Sequence, residues 1–158
     1  MERLDSILRH PVFLKEQEAI EALEQDRIFC RHDLAHLLDV ARLMTIYALE
    51  EGLDIPRDVV YAAALLHDIG RGEQYRTGTP HDQAGAAMAR GILADCGYSP
   101  DEQGRIVDAI GSHRAVQQDA PLGALLYRAD KKSRPCYRCK AAGECNWPME
   151  KRNLTLEV

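Results

Sequence analysis

The chain has 158 residues, with 20 Lys and Arg against 25 Asp and Glu, a formal net charge of −5 and 46% hydrophobic residues. That length suits one domain able to bury a core without cross-links, and the acidic balance excludes the basic footprint of a nucleic-acid duplex binder. No apolar run is long enough to span a bilayer, and the start Met1-Glu2-Arg3-Leu4-Asp5 lacks the basic and apolar regions of a secretory signal, so the expectation is a cytoplasmic protein without a membrane partner.

Taken in order, the predicted elements are all helical, because no run alternates apolar and polar residues as a strand does. A first helix covers about Glu2 to Leu8 and stops at His10-Pro11; a second runs from Pro11 to about Gln25. A third runs from about Asp33 to Glu51, with Leu34, Leu37, Leu38, Ala41, Met44 and Ala48 at helical spacing and Gly52 as its stop. A fourth begins at Pro56 and continues through the apolar run Ala62-Ala63-Ala64-Leu65-Leu66 to Asp68. A polar loop, Arg71 to Thr79, is expected next; it carries three residues suited to phosphate contact, Arg71, Tyr75 and Arg76. A fifth helix spans Pro80 to Asp95, a sixth starts after the N-cap Ser99 and ends near Ser112, and a seventh covers Pro121 to about Lys132. The segment from Ser133 to Val158 lacks periodicity. The chain thus divides into a helical domain, residues 1–132, and a cysteine-containing extension, residues 133–158, packed on it.

Six residues stand on apolar helix faces or at helix ends where they aim inward: His36, His67, Asp68, His81, His113 and Asp130. A single histidine on such a face reads as a hydrogen-bonded core residue. Six are different, because burying them is costly unless they converge. Imidazole and carboxylate together suit Fe, Mn, Co, Ni or Zn, and six ligands are enough for two metals about 3.5–4 Å apart. Asp68 is then the natural bridging carboxylate.

The order His36, His67-Asp68, Asp130, with the strings His36-Leu37-Leu38-Asp39-Val40-Ala41 and Ala64-Leu65-Leu66-His67-Asp68-Ile69-Gly70, resembles the HD superfamily of metal-dependent phosphohydrolases. The added His81 and His113 resemble its dinuclear branch, which acts on dinucleotides. The resemblance covers about Arg31 to Lys132. It implies an orthogonal helical bundle with one metal held by His36, His67, Asp68 and Asp130 and a second by His81 and His113 with Asp68 shared. It also implies a metal-activated bridging water as nucleophile and a small phosphorylated substrate, a nucleotide, dinucleotide or other phosphate ester. Arg71 stands where dinuclear relatives often carry Lys and is assigned a catalytic and phosphate-binding role, with a solvated loop charge as the alternative; Lys131 and Arg134 are further phosphate candidates. Asp33 reads as an N-cap rather than a catalyst, and His32 shares the His36 face without an assigned role.

Cys136-Tyr137-Arg138-Cys139, followed by Cys145, reads C-x2-C-x5-C, with Cys30 a candidate fourth ligand for a structural zinc or an iron–sulfur cluster. Its alternative is three unlinked thiols in a flexible tail, while Cys96 reads as a buried thiol. Besides the hydrolase, the residues leave open a di-iron oxygenase, a non-enzymatic metal or redox sensor, and a helical domain with scattered core histidines.

Overall fold

The computed structural model describes residues 2–156; Met1, at the head of the expected helical domain, and Glu157 and Val158, at the end of the expected extension, lie outside the described residues. Among the described residues eight α-helices follow in order: α1 Glu2–Leu8, α2 Pro11–Leu23, α3 Leu34–Glu50, α4 Arg57–Leu66, α5 Arg71–Thr77, α6 His81–Asp95, α7 Pro100–Ser112 and α8 Pro121–Lys132. Three 3-10 turns, Cys136–Arg138, Ala142–Glu144 and Met149–Lys151, come after them. No strand occurs among the described residues, and no helix there is long and apolar enough to cross a membrane.

The bundle forms around α4. Val59, Val60 and every residue from Ala62 to Leu66 are buried, as expected of a helix apolar on all sides. It packs against α1, α3, α7 and α8, with Leu37, Val40, Met44, Ile106, Ile110 and Leu126 filling the surrounding core. Local signals set the ends. Asp33 caps α3 by accepting from the His36 backbone N–H at 3.0 Å. Ser99 and Glu102 form a reciprocal capping box on α7. Gly97 follows α6 with φ +77°, a left-handed turn that glycine enters freely.

Two features differ from the sequence expectation. The helix ahead of the His-Asp pair ends at Leu66, so His67 and Asp68 occupy the turn beyond it. The expected loop from Arg71 to Thr79 is largely the short helix α5. Of its residues only Gly72 is buried, so it lacks the apolar stripe that marks a helix in sequence. Its polar residues are spent on α2 and the segment after it. Arg76 pairs with buried Glu16 at 3.0 Å and with Glu73 at 3.1 Å, and the Tyr75 hydroxyl donates to Glu24 at 2.6 Å. Tyr75 and Arg76 thus tie α5 to α2 and to the segment after it.

Glu24 anchors the segment leading into α3. Its carboxylate accepts from the His32 backbone N–H at 2.8 Å, His32 Nδ1 at 2.5 Å and Tyr75. Burial pushes this carboxyl up, but the three donors outweigh it and hold it down to about 2. Gly70 supplies a second constraint. Its φ of −77° is open to any residue, yet a Cβ there would stand 2.2 Å from the His81 carbonyl oxygen and 2.5 Å from the Gly85 nitrogen. Both are backbone atoms of α6, so the turn after Asp68 and the start of α6 meet without space between them.

Gly70→Ala is expected to destabilise the protein by about 2 kcal/mol or more through overpacking, measured as a lowered urea midpoint; an unchanged midpoint would contradict the close approach. Glu24→Gln is expected to cost about 1–3 kcal/mol at pH 7 by leaving buried donors poorly matched. Because the folded carboxyl is depressed, its contribution is complete above its ordinary value near 4.5 and is lost as pH falls toward about 2. Urea titrations across that window should show the two proteins converging.

Candidate metal centre

Five of the six histidines are buried, together with Asp68 and Asp130. They reach one point from different elements: His32 from the segment before α3, His36 from α3, His67 and Asp68 from the turn after α4, His81 from the first turn of α6, His113 from the end of α7 and Asp130 from α8. All six sequence-predicted ligand candidates meet there. Two sets have donor atoms within 4.8 Å of one another and the composition that holds a divalent ion: His36, His67, Asp68 and Asp130, and Asp68, His81 and His113.

Asp68 belongs to both sets and turns a different oxygen to each. Its Oδ2 lies 3.0 Å from His67 Nε2 and 3.6 Å from His36 Nε2, whereas Oδ1 lies 3.4 Å from His81 Nε2 and 4.0 Å from His113 Nε2. Asp130 Oδ1 completes the first set at 3.4 Å from His36 Nε2 and 3.8 Å from His67 Nε2.

The opposite ring nitrogens fix the imidazoles. His67 Nδ1 meets the Ala64 carbonyl at 2.7 Å, and His113 Nδ1 meets the Ile110 carbonyl at 2.6 Å. These carbonyls belong to the last turns of α4 and α7, where helix acceptors lack intrahelical partners. His81 Nδ1 lies 2.7 Å from Gln74 Oε1, and His36 Nδ1 lies 3.3 Å from Ser133 Oγ. An Nδ1 proton donated to oxygen leaves Nε2 as a lone pair. The Nε2 atoms of His81 and His113 accordingly face each other at 3.1 Å.

The charged groups of the cluster act strongly on one another. Burial pushes Asp68 up, but His67 and Arg71 hold it well below the usual carboxylate range. Burial pushes His67 down, and the carboxylates of Asp68 and Asp130 overcome it to raise the ring to about 10. His81 goes the other way, down to about 3, through burial and the nearby Arg71 charge. The decisive observation is polar satisfaction: His67 Nε2 and Asp68 Oδ2 are buried yet have no partner at hydrogen-bond geometry, despite their 3.0 Å separation. Two buried polar atoms aimed at one another without a hydrogen-bond partner fit a site that holds a metal ion.

The basic residues divide. Arg71 Nε donates to Asp68 Oδ1 at 3.0 Å, and the residue lines two clefts that also border Asp130. Lys131 Nζ pairs with Asp130 Oδ2 at 2.6 Å and borders the same clefts. Arg134 is buried and committed to protein: Nη1 donates to the Arg31 carbonyl at 2.9 Å, and Nη2 lies 3.0 Å from His36 Nε2 and 3.5 Å from Asp130 Oδ1. His32 enters the site without a role assigned in the sequence; Glu24 orients it and its Nε2 stands 4.0 Å from Asp68 Oδ2. Its spacing four residues before His36 was the available signal. Glu24, Gln74 and Ser133 carried none, because their partners are distant in sequence or act through a single hydrogen bond.

Comparison with known proteins agrees with this geometry. The sequence profile described as HD domain matches residues 33–134. An uncharacterized protein of Clostridium beijerinckii is 38% identical over 156 residues, covering 99% of both chains. Ribonuclease Y of Oleidesulfovibrio alaskensis is 33% identical over 125 residues, 78% of this chain and 22% of that protein. Ribonuclease Y 1 of Pediococcus pentosaceus is 35% identical over 98 residues, 61% of this chain and 17% of the relative. The chain thus spans about a fifth of these ribonucleases. The crystal structure of a predicted HD superfamily hydrolase from an uncultured Thermotogales bacterium superposes with a TM-score of 0.67 at 25% identity, covering 92% of this chain and 81% of the other. A profile match over more than half the length, with its histidines and aspartates gathered at one buried point, means that the chain belongs to the HD-domain family of metal-dependent phosphohydrolases.

Proposed function

We propose that the protein is a dinuclear HD hydrolase that cleaves a phosphoester or phosphoanhydride bond in a nucleotide or dinucleotide. The observation that carries this reading is the Asp68 carboxylate, buried with one oxygen toward each of two donor sets. In this reading His36, His67, Asp68 and Asp130 hold one metal, His81 and His113 hold the other, and Asp68 bridges. Divalent metals bound there supply Lewis acidity toward a phosphoryl oxygen and bring the pKa of a water down to where it becomes a nucleophile.

The chain's own residues favour a phosphorylated substrate. A cleft of about 700 Å³ opens over His81, His113 and Asp130, within the size range of small-molecule sites. Arg71, Arg114 and Lys131 line it with positive charge, and Tyr127 and Trp147 supply aromatic surface. Guanidinium groups bind phosphate as planar forks, and aromatic rings stack on bases. Arg71, held through its Nε by Asp68, is placed to meet a phosphate beside the metals. Arg134, enclosed by Arg31, His36 and Asp130, serves the centre by balancing charge next to His36 rather than by meeting substrate. The ribonuclease Y relatives support including RNA phosphodiesters among the substrates tested. Five unpaired cysteines support a cytoplasmic location.

Metal-replete protein is expected to hydrolyse at least one member of a panel of nucleotides, dinucleotides and short single-stranded RNA with Mn, Fe, Co, Ni or Zn supplied. Activity should be equal under argon and air. His67→Ala and Asp68→Ala should each lower kcat/KM by about 100-fold or more. Elemental analysis should give two divalent metals at the His/Asp centre, falling to one in His113→Ala. Absence of hydrolysis across the panel by metal-replete protein rejects the reading.

A further inference from the structure

The segment after α8 poses a folding problem that the hydrolytic centre does not solve. Between Ser133 and Leu156 only Arg134 and Ala141 are buried, while Met149, Leu154 and Leu156 stand exposed. It has no regular structure beyond three single 3-10 turns. A segment with so little apolar burial cannot offset its own ordering entropy. It is nevertheless tied down at specific points. Arg152 alone donates to three carbonyls, those of Trp147 at 2.8 Å, Ala142 at 2.8 Å and Cys145 at 2.7 Å. Asn153 Nδ2 donates to the carbonyls of Lys131 and Arg134, both at 2.8 Å.

The thiols supply the missing element. Cys136, Cys139 and Cys145 are three of its few half-buried side chains, and each is a free thiol. They line one cavity of about 360 Å³ together with Cys30, which arrives from the far end of the sequence ahead of α3. Burial pushes the Cys30 thiol up, and Cys136 and Cys139 lie close enough to add to that shift. Four cysteines from two separate segments thus face one enclosed space. A single zinc ion binds thiolate sulfur at about 2.3 Å, which sets tetrahedral sulfurs roughly 3.8 Å apart. Among the described residues no three of these sulfurs lie within 4.8 Å of one another, although the His/Asp sets meet that limit. A polynuclear iron core carries its thiolates on its outside and therefore spaces them more widely.

We propose that Cys30, Cys136, Cys139 and Cys145 bind an iron–sulfur cluster in this cavity. On binding, each cysteine releases its thiol proton to solvent and coordinates iron as the thiolate; the iron enters as ferrous and ferric ions together, so no electron has to be moved, and bridging sulfide comes from a sulfide donor. Arg27 and Arg134 border the cavity and offset the negative charge of the thiolate-ligated core. The cluster would staple the extension to the bundle. Trp147, Arg71 and Lys131 line both this cavity and the substrate cleft, so the staple also sets one wall of that cleft.

The test is protein purified without oxygen and then incubated with ferrous and ferric iron and sulfide. The expected result is acid-labile sulfide, which iron in the His/Asp centre does not produce, with the broad visible absorption of sulfide-to-iron charge transfer. Cys139→Ser and Cys30→Ser should each lose both signals, and Cys96→Ser, whose thiol lies at the end of α6, should keep them. Zinc at the cysteines without labile sulfide, or no sulfide after reconstitution, overturns the proposal. Full retention of the cluster in Cys30→Ser also overturns the four-cysteine site. The sulfide measurement on the unaltered chain decides the matter even where a serine variant does not fold.

Discussion

A carboxylate with almost no access to water controls this protein. Asp68 is 2% exposed, and burying a lone carboxylate at such a place costs several kcal/mol or more. The molecule answers with position. Imidazoles from α3, α6 and α7 and from the turn after α4 surround the group, and the Arg71 guanidinium binds one oxygen. Each helix that contributes a ring is held by the others through the apolar core around α4. The arrangement explains why α4 is apolar on all sides: it is the axis from which the Asp68 turn projects, and it tolerates no solvent there.

Local chain geometry then sets what each ring can do. Because the Asp68 turn lies beyond the last residue of α4, the His67 ring can fold back onto a carbonyl of that helix end. The contact of Gly70 with the backbone of α6 brings His81 within reach of the second Asp68 oxygen. Distances of 3 to 4 Å among the donor atoms thus follow from a helix end and a glycine, two features that cost the sequence little.

The six-residue set was legible in the sequence because each member sits at helical spacing from apolar neighbours or directly at a helix end. An HD-type all-helical fold followed from the same pattern. α5 was not legible. Its helical state comes from Arg76 reaching Glu16 and Tyr75 reaching Glu24, contacts between residues 51 and 60 positions apart, and a window of local sequence holds no trace of them. The same holds for Glu24. Glu24 reads as a solvated charge at the end of an amphipathic helix, yet it is 2% exposed because two other segments bring donors to it. Arg134 shows what spacing alone leaves out: a cation next to a ligand reads as a phosphate candidate, and tertiary packing also sets it against His36 and the Arg31 carbonyl.

The four rings of the two donor sets differ in what holds their far nitrogens. His67 and His113 lean on carbonyls of their own helices, which no side-chain change removes. His36 and His81 lean on Ser133 and Gln74, side chains that substitution can alter. Each donor set therefore pairs one imidazole held by a backbone carbonyl with one held by a replaceable side chain. Ligand basicity and ring tilt can drift at Ser133 or Gln74 without touching a ligand, and the two halves can drift independently. A lineage of such chains could retune one donor set at a time while the bundle around α4 stays unchanged.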